Sequence, residues 1–151
     1  MPITMQKMIE VSGLSRDAIN KIVARHLVTK IPEGKHGLTR VFTRDNAFEI
    51  LCFAALEGTK GSEAAQVVRH WRLMRAESKL PNFWLFGARE PLVRGNGKPN
   101  GVGFNNPNMA VQALFGSGDL VSGSSHDRFI AARVIALGKI KALIKTLDQD
   151  D

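Results

Sequence analysis

Hydrophobic residues recur at helical spacing near the start of the chain. Ala18, Ile19 and Ile22 stand three and four residues apart, which predicts a buried stripe on a helix from about Ser15 to His26. A short helix precedes it, with an apolar side formed by Ile3, Met5, Met8 and Ile9. Gly13 lies between the two, where glycine adopts the left-handed conformation that ends a helix at no steric cost. The pattern predicts two helices joined by a tight turn.

Polar residues complete this pair of helices. Ser15 is predicted to cap the second helix, with Asp17 in its first turn. Arg16, Asn20 and Lys21 lie off the buried stripe and can face a partner. This arrangement is typical of a helix-turn-helix, whose second helix enters the major groove of DNA. The alternative is an ordinary helix pair in a core.

A basic hairpin and a third helix are expected next. Pro32 and Gly34 predict a turn, and the returning strand is predicted over Leu38 to Phe42. Thr43 should cap the third helix, which ends near Gly58. Its predicted buried face consists of Ala47, Ile50, Leu51, Ala54 and Ala55.

A fourth helix should open at Gly61, and the composition then changes. Its predicted apolar side consists of Ala65, Val68, Trp71, Leu73 and Met74. A linker is expected near Ser78–Pro81, and Phe83–Phe86 reads as a strand. Residues 94–108 are predicted to be an exposed loop, because Asn-Gly pairs favour tight turns. Residues 109–115 fit a second strand or a helical turn.

The last element is predicted to be one helix from about Asp127 to Leu147. Its apolar stripe, the predicted dimerisation face, consists of Ile130, Val134, Leu137, Ile140, Ile144 and Leu147. Such a stripe needs a partner, either the rest of the chain or a second copy. Its position after a glycine-rich region favours a second copy.

The expected fold class is mainly α with a small β component. We expect a winged helix-turn-helix over residues 1–79, a glycine-rich mixed segment with short strands over 80–126, and a C-terminal dimerisation helix over 127–151.

The net charge of the chain indicates which class of partner it binds. The net charge is +7, and residues 1–79 hold 13 Lys and Arg against 8 Asp and Glu. Such an excess favours a polyanion, either nucleic acid or an anionic membrane surface. The single cysteine, Cys52, excludes an intrachain disulfide. With no signal-peptide pattern and no apolar run of membrane-spanning length, a soluble cytoplasmic protein is expected.

Three stretches together resemble the winged DNA-binding domain of the MerR family of bacterial regulators. They are Gly13–Ile19, Leu27–Val28 and Gly37–Thr43. Within the last, an arginine, an aromatic residue and a threonine follow the family's order just before a helix. The resemblance covers roughly residues 3–75. It implies a nucleoid-associated homodimer that grips palindromic DNA through a C-terminal helix and regulates transcription.

The chain departs from the family pattern at three places, one of them the shape of the wing around Gly37-Leu38-Thr39. Asn20-Lys21-Ile22 stands where Arg-Tyr-Tyr is common, and Ile9 stands where a small residue is usual. These differences suit a bacterial or phage excisionase-like protein or a phage terminase small subunit as well as a MerR regulator.

The predicted DNA contacts are cationic and polar side chains on the second helix and the wing. Arginine pairs with guanine and asparagine with adenine in the major groove, whereas wing cations meet phosphate. The full set is Ser15, Arg16, Asn20, Lys21, Arg25, Lys30, Lys35, His36, Arg40 and Arg44.

Other chemistry has weaker signals. Cys52 fits a buried core thiol, and the four histidines lack ligand spacing, so no metal or other cofactor is expected. Trp71 and Trp84 favour a core over a small-molecule effector site. The adjacent residues Ser124 to Asp127 cannot converge as a catalytic triad, and we expect no enzyme.

The predicted function is therefore a sequence-specific, DNA-binding transcriptional regulator that acts as a homodimer. The alternatives are an accessory protein of DNA packaging or recombination, and a protein-interaction module whose basic surface is incidental. No membrane partner is expected.

Overall fold

The chain is mainly helical with a small antiparallel β component. The computed structural model describes residues 3–25, 31–32, 40–59, 61–89, 101–108 and 129–147. The chain forms two compact units, one of residues 1–73 with 140–151 and the other of residues 74–139. Each unit has its own buried residues.

The first unit begins with the predicted pair of helices. Helix α1 spans Met5–Ser12 and helix α2 spans Arg16–Arg25. Strand β1 (Ile3–Thr4) pairs antiparallel with strand β2 (Val41–Phe42). Of the predicted returning strand, only these last two residues of 38–42 are described as strand, since residues 33–39 lie outside the described part.

Helix α3, Arg44–Ala55, is buried on every side through its middle. The polar residues Asn46 and Glu49 are as buried as their apolar neighbours. The predicted stripe was narrower, because helical spacing marks one face and gives no sign that a helix is covered all round. The predicted cap is confirmed. The Thr43 hydroxyl accepts a hydrogen bond from the backbone N–H of Asn46, and the side-chain carbonyl of Asn46 accepts one from the backbone N–H of Thr43.

Helix α4 spans Gly61–Ala76. Its buried positions are Ala64, Val67, Val68 and Trp71. The predicted apolar side was wrong at Leu73, which is 58% exposed. Leu73 lies two residues after Trp71, so it projects from nearly the opposite side of the helix.

A three-stranded antiparallel sheet forms the strand part of the second unit. Strand β3 (Phe83–Arg89) lies between β4 (Gly101–Phe104) and β5 (Phe129–Ile135). The strand predicted at Phe83–Phe86 is confirmed. The exposed loop predicted over 94–108 is wrong at residues 101–104, which pair with β3.

Gly103 explains why a glycine-rich segment forms a strand here. It lies opposite Trp84 in the ladder, and a Cβ added to it would come within 2.5 Å of the Pro81 ring. Glycine is therefore required by close packing at this position and not by a turn. A glycine is equally compatible with a turn and with a closely packed strand, so the sequence alone does not distinguish the two.

The single helix predicted from Asp127 is wrong over its first part. Phe129–Ile135 forms β5, and helix α5 spans Leu137–Thr146. The apolar residues of this segment fit helical spacing as well as strand spacing. Phe, Ile and Val favour strands, and the segment forms one because it pairs with the free edge of β3. The backbone N–H of Gly138 donates to the Asn82 carbonyl at 2.8 Å, which ties the start of α5 to the residue before β3.

The predicted dimerisation face is consequently divided. Ile130 and Val134 belong to β5 and not to a helix. The remaining four, Leu137, Ile140, Ile144 and Leu147, are buried within the single chain. The apolar stripe is therefore already covered by the same chain. Its apolar character is no longer a reason to expect a second copy. Residues 109–115, the other candidate strand, lie outside the described residues.

Candidate nucleic-acid interface

Three hydrogen bonds hold the turn between α1 and α2. Gly13 has a φ of 69°, and its N–H donates to the Ile9 carbonyl at 3.0 Å. The Ser12 hydroxyl donates to the Met8 carbonyl at 2.6 Å and accepts from the Leu14 N–H at 3.2 Å. The predicted glycine turn is confirmed, and Ser12 adds bonds that its sequence position did not indicate.

Ser15 and Ile19 hold α2 in place. The Ser15 hydroxyl accepts from the Ala18 N–H at 3.1 Å, which confirms the predicted cap. Ile19 is completely buried, while Ala18 and Ile22 beside it are half-buried. The predicted stripe thus faces the first unit, and the opposite side of α2 faces outward.

Helix α2 carries three cationic side chains that reach the surface. Arg16, Lys21 and Arg25 are all exposed, with Asp17 among them. Within the described ranges, no ion pair neutralises any of the three cations. Their side chains can therefore reach an external anion without first breaking a contact within the described chain.

Asn20 differs from the prediction. It is half-buried at the border of the outward side, and its carbonyl oxygen accepts a hydrogen bond of 2.9 Å from Arg40. Arg40 is exposed and immediately precedes β2, so the residue that leads into β2 reaches the surface of α2. Twenty residues separate the partners, and no periodic pattern pairs them.

Arg44, the first residue of α3, is also exposed. A cation here opposes the positive end of the helix dipole, whereas Asp45 beside it suits that end. The position of Arg44 is therefore unfavourable for the helix itself. Three further members of the predicted set, Lys30, Lys35 and His36, lie outside the described residues.

The remaining candidates have structural explanations or lie elsewhere. Cys52 is completely buried in α3, as expected for a core thiol. Trp71 and Trp84 are buried in separate units, which fits their interpretation as core residues. Residues 124–127 lie outside the described part of the chain.

The described residues hold neither a membrane-spanning helix nor a cluster of metal-binding side chains. None of the helices there is both long and apolar enough to cross a bilayer. No group of three or more His, Cys, Asp or Glu side chains is placed there to hold a metal ion.

Sequence reasoning missed one buried charge. Glu49 is 1% exposed, and its carboxylate lies 3.5 Å from the guanidinium of Arg72 on α4. Only the observation that α3 is buried on all sides reveals it. This pair joins two helices, α3 and α4.

Comparison with models of protein families, with curated proteins and with solved structures found no match for this chain.

Proposed function

We propose that this protein binds double-stranded DNA through α2 and thereby regulates transcription at specific sequences. The observation that carries the proposal is that Arg16, Lys21 and Arg25, on the helix that follows the Gly13 turn, are exposed and form no ion pair with another described residue. Arg40 and Arg44 extend the positive charge beyond α2. The MerR-like motifs support the same interpretation.

Geometry favours a groove over a flat anionic surface. The hydrogen bonds around Gly13 fix α1 and α2 relative to each other, so α2 is presented as a rigid rod. The major groove is about 12 Å wide and admits such a helix. Arg16 and Arg25 lie at the two ends of α2, about half a turn apart around its axis, so each can meet phosphates on a different wall of the groove.

Selection from a random pool of duplexes, followed by fluorescence anisotropy on the selected duplex, tests the proposal. A variant with Lys21→Gln and Arg25→Gln should bind the selected duplex at least tenfold more weakly. The matched control, Lys139→Gln with Lys145→Gln, removes the same charge from exposed positions of α5. It should bind as the unchanged protein does.

Equal weakening by both variants would mean that total charge, and not α2, determines binding. No measurable binding to any duplex would leave the protein-interaction module as the better explanation, since a basic surface alone requires no DNA partner.

A second candidate is an accessory role in DNA packaging or recombination with the same α2 surface. The observation that favours it is the covered stripe of α5: Ile140, Ile144 and Leu147 are buried without a second copy. The homodimer implied by the MerR resemblance thus remains a proposal without that support. A selected site that is a single, non-palindromic element bound by a monomer would favour the accessory role.

A further inference from the structure

Asp17 lies on the side of α2 that is directly opposite the buried residue of this helix. Ile19 is completely buried, and Asp17 stands two residues before it. Two helical residues at that spacing project about 160° apart around the axis. Lys21 and Ala24 follow Asp17 at spacings of four and three residues, and all three are exposed. These three residues therefore form the line of α2 that projects furthest from the buried side.

The carboxylate of Asp17 is accessible to a ligand. Asp17 and Lys21 are four residues apart, a spacing at which opposite charges on a helix can pair. Among the described residues, however, Asp17 forms no ion pair with Lys21, with the adjacent Arg16 or with any other cation. The cationic surface of α2 thus includes one exposed negative charge that no described cation neutralises.

The place and length of this side chain determine which part of DNA it would meet. In a helix that lies in the major groove, the residues opposite its buried side face the base edges, and the N-terminal residues of a recognition helix make base contacts. Asp17 is the second residue of α2. Lys21 has a long, flexible stem and can extend from the same line to a phosphate. The short side chain of Asp17 stays over the base edges.

Cytosine is the base that best suits a carboxylate in the major groove. An ionised carboxylate only accepts hydrogen bonds. Guanine and thymine present acceptors there, and adenine places the acceptor N7 beside its amino group, whereas cytosine presents its N4 amino donor. We propose that Asp17 selects cytosine at one base pair of the bound site by accepting from this amino group. This inference rests on the DNA binding proposed above.

A carboxylate facing DNA also acts against the wrong sequences. It repels the acceptor atoms of guanine and thymine, and it finds no donor there to offset its approach to the phosphates. Asp17 would therefore raise specificity while lowering the affinity for unrelated duplexes. A role confined to the helix predicts neither effect, since an acid in the first turn stabilises a helix whatever DNA is bound.

Fluorescence anisotropy on the selected duplex and on its single-base-pair variants tests the inference. At one base pair the unchanged protein should favour cytosine over guanine by roughly tenfold, within the range that one good base contact supplies. Asp17→Ala should abolish this preference at that base pair alone. It should also bind the duplex with guanine there more tightly than the unchanged protein does.

Asp17→Asn separates base reading from the role in the helix. The asparagine amide keeps the size of the side chain and supplies both a donor and an acceptor, the combination that matches adenine N7 and N6. The preference at the same base pair should therefore move from cytosine towards adenine.

The matched control is Glu63→Ala, which removes an exposed acid from the first turn of α4. It should leave the base preference unchanged at every position. Circular-dichroism melting should show a similar, small loss of thermal stability in Asp17→Ala and Glu63→Ala, because both remove a first-turn acid from an exposed position.

Three results would overturn the inference while leaving DNA binding intact. They are no base pair at which Asp17→Ala changes the preference, a preference of the unchanged protein for a base other than cytosine where Asp17→Ala does act, and an unaltered cytosine preference in Asp17→Asn. Failure of the unchanged protein to bind any duplex would remove the proposed function and this inference together.

Discussion

Ser78 is a residue in a conformation better suited to glycine. Its φ is 57°, and it ends α4 with two bonds: its own N–H to the Arg75 carbonyl at 3.0 Å, and the Lys79 N–H to the Met74 carbonyl at 2.8 Å. This is the hydrogen-bond pattern of a Schellman motif, in which the left-handed position is usually glycine. The serine therefore strains the backbone at the end of α4.

Ser78→Gly should stabilise the protein by about 0.5–1 kcal/mol, since it relieves the left-handed penalty at a small cost in chain entropy. Urea unfolding followed by circular dichroism measures the change. The control, Ala76→Gly two residues earlier in the helix, should destabilise by about 1 kcal/mol. If Ser78→Gly also destabilised, the left-handed assignment would be wrong.

A buried charge links two elements, α3 and α4. Glu49 is 1% exposed on α3, and Arg72 on α4 is 38% exposed. Removing one member of a buried ion pair leaves the other charge inside a medium of low dielectric. Because Arg72 is partly in water, the effect of its loss should be smaller than for a fully buried pair.

We expect Arg72→Ala to destabilise the first unit by about 1–2 kcal/mol. Arg69→Ala, an exposed arginine one turn earlier, should change stability by less than about 0.5 kcal/mol. Thermal unfolding of both variants provides the comparison. Indistinguishable melting temperatures would show that the Glu49 charge does not depend on Arg72.

The elements also show which structural features sequence can predict. Helices α1 to α4 and three of their caps or turns follow from local rules, because a cap or a glycine turn involves residues only a few positions apart. Strands β4 and β5 do not. Trp84 pairs with Gly103 on one side and with Ile135 on the other. Both partners are far from Trp84 in the sequence, so no local sequence pattern predicts these pairings.

Some features of the candidate site are likewise predictable from local sequence, and others are not. The exposure of Lys21 and Arg25 follows from the position of Ile19 on the other side of α2, whereas Arg16 is exposed as the first residue of the helix. The bond from Arg40 to Asn20 spans twenty residues and depends on where the pairing of β1 with β2 places Arg40. Sequence therefore predicted the cationic side of α2 but not the state of the asparagine beside it.

At the scale of the whole molecule, α5 belongs to the fold of one chain. Residues from Ile140 onward are part of the same compact unit as residues 1–73. Ile144 is 4% exposed in the single chain, so its side chain is covered without a partner.

Ile144→Ala should destabilise the protein by about 2–4 kcal/mol, through lost burial and the cavity left behind. The melting temperature of the unchanged protein should not vary with protein concentration, because its stability does not depend on association. Differential scanning calorimetry over a hundredfold concentration range measures both. Leu143→Ala, at an exposed position, is the control. A melting temperature that falls on dilution would mean that a second copy covers α5 after all.

In the proposed function the cations of α2 bind DNA phosphates, and the salt dependence of binding tests this most directly. The logarithm of the binding constant should fall linearly with the logarithm of salt concentration, by about 0.9 for each phosphate neutralised. Lys21→Gln with Arg25→Gln should reduce that slope by about 2, whereas Lys139→Gln with Lys145→Gln should leave it unchanged. Equal slopes for the unchanged protein and the α2 variant would contradict the account.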